Sequence, residues 1–187
     1  SGLDPHAWLD PGNAELWLDT IAQQLSALDP EHAATYAANA AAYKKRLQDT
    51  LEPLRARIAR IPQDRRWLVT CEGAFSYLAR DFGMKELYLW PINADRMGTP
   101  QQIRAVIDGI RQHDIPAAFC ESTVNPAPAR QIARETGALY GGVLYVDSLS
   151  QADGPVPTYL DLLRVTTQTV AEGLEKGLTA ADRKATE

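Results

Sequence analysis

Three side chains that can bind a metal ion lie within or directly after short segments whose sequence predicts local structure. His6 lies in the segment DPHAWLDP, Glu72 follows the apolar run WLVTC, and Asp147 follows the run GGVLYV. The two carboxylates come at the carboxyl ends of predicted parallel strands, the edge at which open α/β sheets bind ligands. One imidazole nitrogen and two carboxylates form a hard, oxygen-rich donor set, which suits Mn²⁺ or Fe²⁺ better than a thiolate site would.

Each of these residues also has an ordinary structural explanation. Glu72 comes at a strand-to-helix turn, where the helix dipole favours a carboxylate. Asp147 can be a turn or capping residue, and His6 can be a surface or packed histidine. Glu121 follows its own apolar run in the same way as Glu72. It could be a carboxylate that accepts a hydrogen bond from one of the ligands, but the sequence does not show which ligand it would support.

The segments that must position these residues alternate in type. Short apolar runs at 67–71, 86–90, 117–121 and 141–146 predict strands, and the segments 73–82, 99–113, 126–136 and 157–177 between and after them predict helices. This alternation predicts an α/β fold with a parallel four-stranded sheet flanked by helices. Right-handed crossovers place all the carboxyl ends of the strands on one edge, so Glu72, Glu121 and Asp147 are expected there.

A long helical region precedes the sheet. Residues 12–61 are helical in character, with a second start signal at Asp29 and Pro30 and an expected kink at Pro53. A helix of about 30 residues is about 45 Å long, which is typical of a linker or spine between two lobes. The charged tail from Thr179 to Glu187 is expected to be frayed.

Composition limits the classes of function. The chain has 187 residues, of which 45% are hydrophobic and 23% charged, as in an ordinary globular protein with a core. The net charge of −5 and the lack of a Lys/Arg cluster argue against nucleic-acid binding. No apolar run approaches the roughly 20 residues of a membrane span.

For two pairs of residues, the sequence allows an interaction but does not decide whether it forms. Cys71 and Cys120 each end an apolar run. Cross-strand geometry in a parallel sheet is seldom right for a disulfide, so two small buried hydrophobic side chains are the favoured interpretation. Asp95 and Arg96, in the segment INADRMGTP, could form an ion pair within a loop.

Five segments of the chain resemble one family of proteins. They are DPHAWLDPGNA, VTCEGAFSYLARDFGM, PINADRMGTPQQI, FCESTVNPAPARQIARETGA and LYVDSLSQADGPVPTYLDLL. They are similar, in the family's order, to the metal-binding solute receptors of bacterial ABC importers, the cluster A-I group. That resemblance implies two α/β lobes joined by a long rigid helix, with the metal between them. It implies a linker helix at 31–61 and a C-terminal lobe at 62–178. The rest of the chain is then an N-terminal metal-ligand segment with a short helix at 1–30 and, from its composition, a disordered tail at 179–187.

The resemblance also implies the ligands and the cargo. His6, Glu72 and Asp147 occupy ligand positions of the family's motifs. The zinc-importing branch usually has histidine where this chain has Glu72, so the site resembles the manganese and iron branch. Mn²⁺ is the expected ion, and Fe²⁺ or Zn²⁺ can also bind. The implied role is capture of the ion in the periplasm or outside the cell and delivery to an ABC permease, with membrane association through the transporter and no enzymatic activity.

The chain departs from the family pattern in extent. The N-terminal lobe with its own histidine ligand, a signal sequence and a lipid-anchor cysteine are not in this sequence. Three of four expected ligands remain, so we expect weaker Mn²⁺ binding than in a full-length protein. The surface that the missing lobe would cover is expected to be apolar and to promote self-association.

Three other functions remain as alternatives. The same carboxylates could hold the metal of a hydrolase that activates water, which turnover of phosphate or amide esters would reveal. The chain could instead be a zinc-specific receptor. It could also be a structural or adhesive module, which metal-independent binding of a partner protein would support.

Overall fold

The computed structural model of the protein describes residues 4–92 and 98–185. The strands in this part of the chain are β1 (Trp67–Glu72), β2 (Lys85–Trp90), β3 (Ala117–Glu121) and β4 (Leu139–Leu144). The α-helices are α1 (Pro11–Leu28), α2 (Ala33–Ala59), α3 (Ser76–Asp81), α4 (Pro100–Gln112), α5 (Ala127–Thr136) and α6 (Tyr159–Ala185). Short 3₁₀ turns cover Ala7–Leu9, Pro30–His32 and Gln63–Arg65. The suggested loop ion pair of Asp95 and Arg96 lies outside the described residues.

The strands form two parallel pairs. β1 pairs with β2 and β3 pairs with β4, which makes the spatial order β2-β1-β3-β4 because β1 and β3 lie next to each other. All four carboxyl ends lie on one side, as the alternation of strands and helices predicts. The predicted α/β fold with parallel strands flanked by helices is confirmed. We expected one four-stranded sheet, and in the described part of the chain the backbone hydrogen bonds join the strands as two pairs.

A disulfide joins the two pairs of strands. Cys71 in β1 and Cys120 in β3 are bonded, with 5.1 Å between their Cα atoms. The interpretation of these residues as unpaired buried thiols was therefore wrong. The reason is that each cysteine is one residue from the end of its strand and the strands are neighbours. This places the Cα atoms within the range of about 4.4–6.8 Å that a disulfide spans.

Apolar side chains cover both faces of the strands. Alternate residues point to opposite faces, so β1 contributes Leu68 to one hydrophobic cluster and Val69 to the other. The first cluster packs against α2, α3 and α6, and the second packs against α4 and α5. Burial on both faces explains why the strand sequences are apolar runs and lack strict alternation.

The long helix predicted from the sequence is present as α2, which runs through Pro53. It begins at Ala33 and not at Asp29, because Pro30–His32 forms a 3₁₀ turn. The Asp29 side chain makes no cap hydrogen bond there and instead accepts one from the Tyr36 hydroxyl at 2.7 Å.

The last helix is longer than the sequence predicted. α6 runs to Ala185, so most of the segment 179–187, which was predicted as a disordered tail, is helical. Alanine and lysine in this segment favour a helix, and an apolar face that includes Leu174 and Leu178 anchors the preceding turns to the core. None of the described helices is both long and apolar enough to cross a lipid bilayer.

Candidate metal centre

The N-terminal segment is fastened to the carboxyl end of the β3–β4 pair. The indole Nε1 of Trp8 donates a hydrogen bond to the carbonyl oxygen of Val146 at 2.9 Å. The hydroxyl of Tyr159, at the start of α6, donates to the carbonyl oxygen of Trp8 at 2.5 Å. These bonds join residues about 140–150 positions apart in the chain. They bring His6 beside the segment that follows β4.

His6 lies between two carboxylates. Its Nε2 atom is 3.2 Å from Oδ1 of Asp147. Its Nδ1 atom is 2.6 Å from Oδ1 of Asp4, and its backbone N–H donates to the same oxygen at 3.0 Å. The edge of the His6 ring also faces Trp8, with 5.2 Å between ring centroids. His6 is only 6% exposed, whereas 40% of the Asp147 side chain is accessible, so solvent reaches the site from the Asp147 side.

Glu72 ends β1 on the same edge of the sheet. Its backbone N–H donates to Oε1 of Glu121 at 2.8 Å, across the β1–β3 boundary. Its carbonyl oxygen accepts a hydrogen bond from the Thr70 hydroxyl at 2.8 Å. The next backbone N–H, of Gly73, donates to the carbonyl oxygen of Trp90 in β2 at 2.9 Å. The main chain that carries Glu72 is therefore held from both neighbouring strands.

Glu121 is buried at the end of β3. It is 2% exposed, and its Oε2 atom has no hydrogen-bond partner among the described residues. Burial raises the pKa of the Glu121 carboxyl to about 7, against the effect of its backbone hydrogen bonds, and the negative charges of Glu72 and Asp147 raise it further.

The structure brings the predicted ligands together only in part. Among the described residues, the only set of three possible metal-binding atoms within 4.8 Å of one another belongs to Cys71, Cys120 and Glu121. That set does not offer thiolate ligands, because the two cysteines form a disulfide. His6 and Asp147 are in contact, whereas the Glu72 carboxylate lies more than 4.8 Å from at least one of their ligand atoms.

Sequence analysis missed Asp4. The sequence left open which ligand Glu121 would support. Asp4 contacts the second ring nitrogen of His6, and Glu121 accepts its hydrogen bond from the backbone of Glu72. The signal was present in the motif DPH, where a carboxylate precedes the histidine by two residues.

Comparison with known proteins places the chain in a family. Residues 1–173 match the family model described as Zinc-uptake complex component A periplasmic. The chain is 56% identical over 174 residues to the iron-binding protein YfeA of Yersinia pestis, covering 92% of this chain and 56% of that protein. It is 34% identical over 175 residues to the manganese-binding lipoprotein MntA of Halalkalibacterium halodurans, covering 94% of this chain and 58% of that one.

Solved structures agree with this match. The Mn-bound periplasmic metal-binding protein of Candidatus Liberibacter asiaticus superimposes with a TM-score of 0.85 at 48% identity, covering 93% of this chain and 64% of that one. The chain thus spans a little over half the length of the curated relatives that it matches. The resemblance found in the sequence is confirmed, and this chain belongs to the family of metal-binding substrate-binding proteins of bacterial ABC transporters.

Proposed function

We propose that this chain binds a divalent transition metal ion through His6, Glu72 and Asp147 and serves the uptake of that ion. The contact between His6 Nε2 and Asp147 Oδ1, 3.2 Å apart, is the observation that carries the proposal. Two groups that are far apart in the chain meet at the carboxyl edge of the strands, and Glu72 ends a strand on the same edge. Binding of the ion replaces the direct contact between His6 and Asp147, because each of these residues then gives one donor atom to the ion.

The donor set supports Mn²⁺ or Fe²⁺ as the cargo. Carboxylate oxygens outnumber nitrogen in the set, which favours these ions more than a histidine-rich site does. The names of the relatives point the same way, since one is called iron-binding and another manganese-binding. Zn²⁺ is also bound by histidine and carboxylate, so we expect it to compete in solution.

Calorimetric titration with Mn²⁺ tests the proposed ligands. We expect the unmodified chain to bind one ion, and Asp147→Asn, Glu72→Gln and His6→Gln each to weaken binding by more than tenfold, because a ligand is lost. Asp108→Asn is the matched control, since Asp108 is an exposed residue of α4 and lies far in sequence from the three ligand positions. Unchanged Mn²⁺ affinity in all three variants would show that these residues do not form the metal site.

Glu72 is the residue that we propose sets the choice of metal. Glu72→His exchanges a carboxylate oxygen for a nitrogen, which suits Zn²⁺ better. We expect the ratio of Zn²⁺ to Mn²⁺ affinity to rise in this variant, measured by competition between the two ions. Glu72→Asp keeps the donor type and should leave the ratio closer to that of the unmodified chain. A fall in the ratio for Glu72→His would contradict the assignment.

The remaining parts of the role rest on the family. We propose that the protein acts as a receptor and not as an enzyme, in the periplasm or outside the cell, and that an ABC permease takes the ion from it. Relatives named as substrate-binding proteins of ABC transporters support this proposal. The Cys71–Cys120 disulfide also supports it, because disulfides persist in oxidising compartments. Co-purification of Mn²⁺ or Fe²⁺ with protein taken from its native compartment is the measurement that tests the cargo.

A further inference from the structure

We propose that Cys71, Cys120 and Glu121 form a second metal site when the disulfide is reduced, and that this site binds a thiophilic ion such as Zn²⁺ or Cd²⁺. Among the described residues, these three are the only set of three whose possible ligand atoms all lie within 4.8 Å of one another. Their exposed fractions are 0%, 0% and 2%, so the set is shielded from water. None of the ligands proposed above belongs to it, and the inference therefore does not rest on the proposed function.

Two neighbouring strands hold the cysteines opposite each other. Cys71 is in β1 and Cys120 is in β3, with 5.1 Å between their Cα atoms. A thiolate lies about 2.3 Å from a bound Zn²⁺ ion, so two thiolates on one tetrahedral ion are about 3.8 Å apart. Once the disulfide is broken, rotation of the side chains about their Cα–Cβ bonds separates the sulfurs to this distance while the strands stay in place.

Glu121 supplies the third donor atom. Its Oε1 atom accepts the backbone N–H of Glu72 at 2.8 Å, whereas its Oε2 atom has no hydrogen-bond partner among the described residues. A buried polar atom without a partner costs free energy. A metal ion bound to Oε2 gives this atom a partner and leaves the hydrogen bond of Oε1 in place.

The reduced pair of cysteines favours a softer ion than Mn²⁺. A dithiol reductant transfers two electrons and two protons to the disulfide, which yields two thiols, and the reductant itself becomes a disulfide. A divalent ion then displaces the two thiol protons and binds the sulfurs as thiolates. Two thiolates and one carboxylate select Zn²⁺ or Cd²⁺ over Mn²⁺. The bound ion and the disulfide are thus alternative states of the same two cysteines, and a reducing compartment favours the first.

Titration of the reduced chain with Cd²⁺ tests the site. The whole chain is reduced with a phosphine, which is then removed in the absence of oxygen. We expect one equivalent of Cd²⁺ to produce the ultraviolet charge-transfer absorbance of a cadmium–thiolate bond. The oxidised chain and the double variant Cys71→Ala with Cys120→Ala are the controls and should show none. A reduced chain that also shows none would overturn the proposal.

Glu121→Gln tests the third ligand. The neutral amide is a poorer ligand than the carboxylate, and we expect the Cd²⁺ affinity of the reduced chain to fall by at least the roughly tenfold that loss of a residue supporting a ligand costs. Glu52→Gln is the matched control, since Glu52 is an exposed residue of α2. Equal Cd²⁺ affinity in Glu121→Gln and the unmodified chain would contradict the assignment of Glu121.

Circular dichroism shows whether the ion binds the folded chain. If the reduced chain is folded, Cd²⁺ should raise its unfolding temperature, because the ion binds the folded state. If reduction unfolds the chain, Cd²⁺ should restore the helical signal. A chain that responds in neither way lacks the proposed site. His6→Gln should leave the charge-transfer absorbance unchanged, so failure of the Mn²⁺ site and failure of this second site are distinguishable.

Discussion

Single carboxylates at the sheet edge have different tasks although their sequence contexts look alike. Glu72 and Glu121 both follow a cysteine at the end of a strand. Glu121 is buried and accepts a backbone hydrogen bond, whereas Glu72 is partly exposed. All five residues of β3 are buried, whereas the first and last residues of β1 are partly exposed. Glu121 therefore supports the main chain that carries Glu72.

The stability of the metal-free protein should depend on the proton of Glu121. Its pKa is about 7 in the folded chain and 4.5 as the reference value, so the folded state binds more protons between these pH values. The contribution of this carboxyl to the free energy of unfolding is then largest below about pH 4.5 and is lost as the pH rises through 7. A pKa shift of this size changes the free energy of unfolding by about 3 kcal/mol at most.

Glu121→Gln should remove this dependence. The amide cannot ionise, so we expect a flatter curve of unfolding free energy against pH between 5 and 8, measured by urea denaturation with a chelator present. Asp153→Asn, at an exposed position, should leave the slope unchanged. An unaltered slope in Glu121→Gln would mean that the carboxyl titrates as an ordinary glutamate.

At the scale of elements, the disulfide joins the two strand pairs next to the site. Cys71 directly precedes Glu72 and Cys120 directly precedes Glu121. The crosslink and the hydrogen bond from Glu72 N–H to Glu121 are therefore adjacent steps along the same two strands. Together they hold the carboxyl ends of β1 and β3 beside each other. Glu72, a proposed metal ligand, lies at this end of β1.

Removing the crosslink should destabilise the fold. The bond closes a loop with a sequence separation of 49 residues, and the chain-entropy model gives about 4 kcal/mol for a loop of that length. We expect Cys71→Ala with Cys120→Ala to lower the free energy of unfolding by an amount of this order. Reduction of the unmodified chain should have a similar effect, and the double variant should not respond to the reductant. Unchanged stability after complete reduction, verified by thiol labelling, would contradict this.

At the scale of the whole molecule, one helix face has no cover. Leu28, Ile21, Trp17 and Leu25 of α1 are 81%, 55%, 44% and 39% exposed, and they follow one another at helical spacing. A groove of about 380 Å³ between α1 and α2 continues this apolar surface. Contiguous apolar surface of this kind is typical of an interface. In the chain described here, a second copy is the occupant that we expect.

Self-association through α1 is the corresponding prediction. We expect sedimentation velocity to show a dimer whose fraction rises with concentration, because pairing buries this apolar surface. Ile21→Lys combined with Leu25→Lys should shift the equilibrium to monomer without unfolding the protein. Lys45→Glu, a change of charge on an exposed position of α2, is the control. A strictly monomeric profile at high concentration would contradict the prediction.

Much of the fold was predictable because local pattern and burial agree. The apolar runs at 67–71 and 117–121 became β1 and β3 within one residue, since strands buried on both faces must be apolar throughout. The end of α6 was not predictable in this way. Its last turns are polar, and they continue a helix whose earlier turns are anchored in the core.

The sequence by itself determined the residue types of the site and the edge on which Glu72, Glu121 and Asp147 lie, because parallel strands linked by right-handed crossovers leave no other arrangement. Their role as metal ligands stays a prediction. Only the tertiary structure decided the pairing of Cys71 with Cys120 and the contact of His6 with Asp147. Those contacts depend on the distance between strands and on the docking of the first residues near Val146, and sequence spacing carries no information about either.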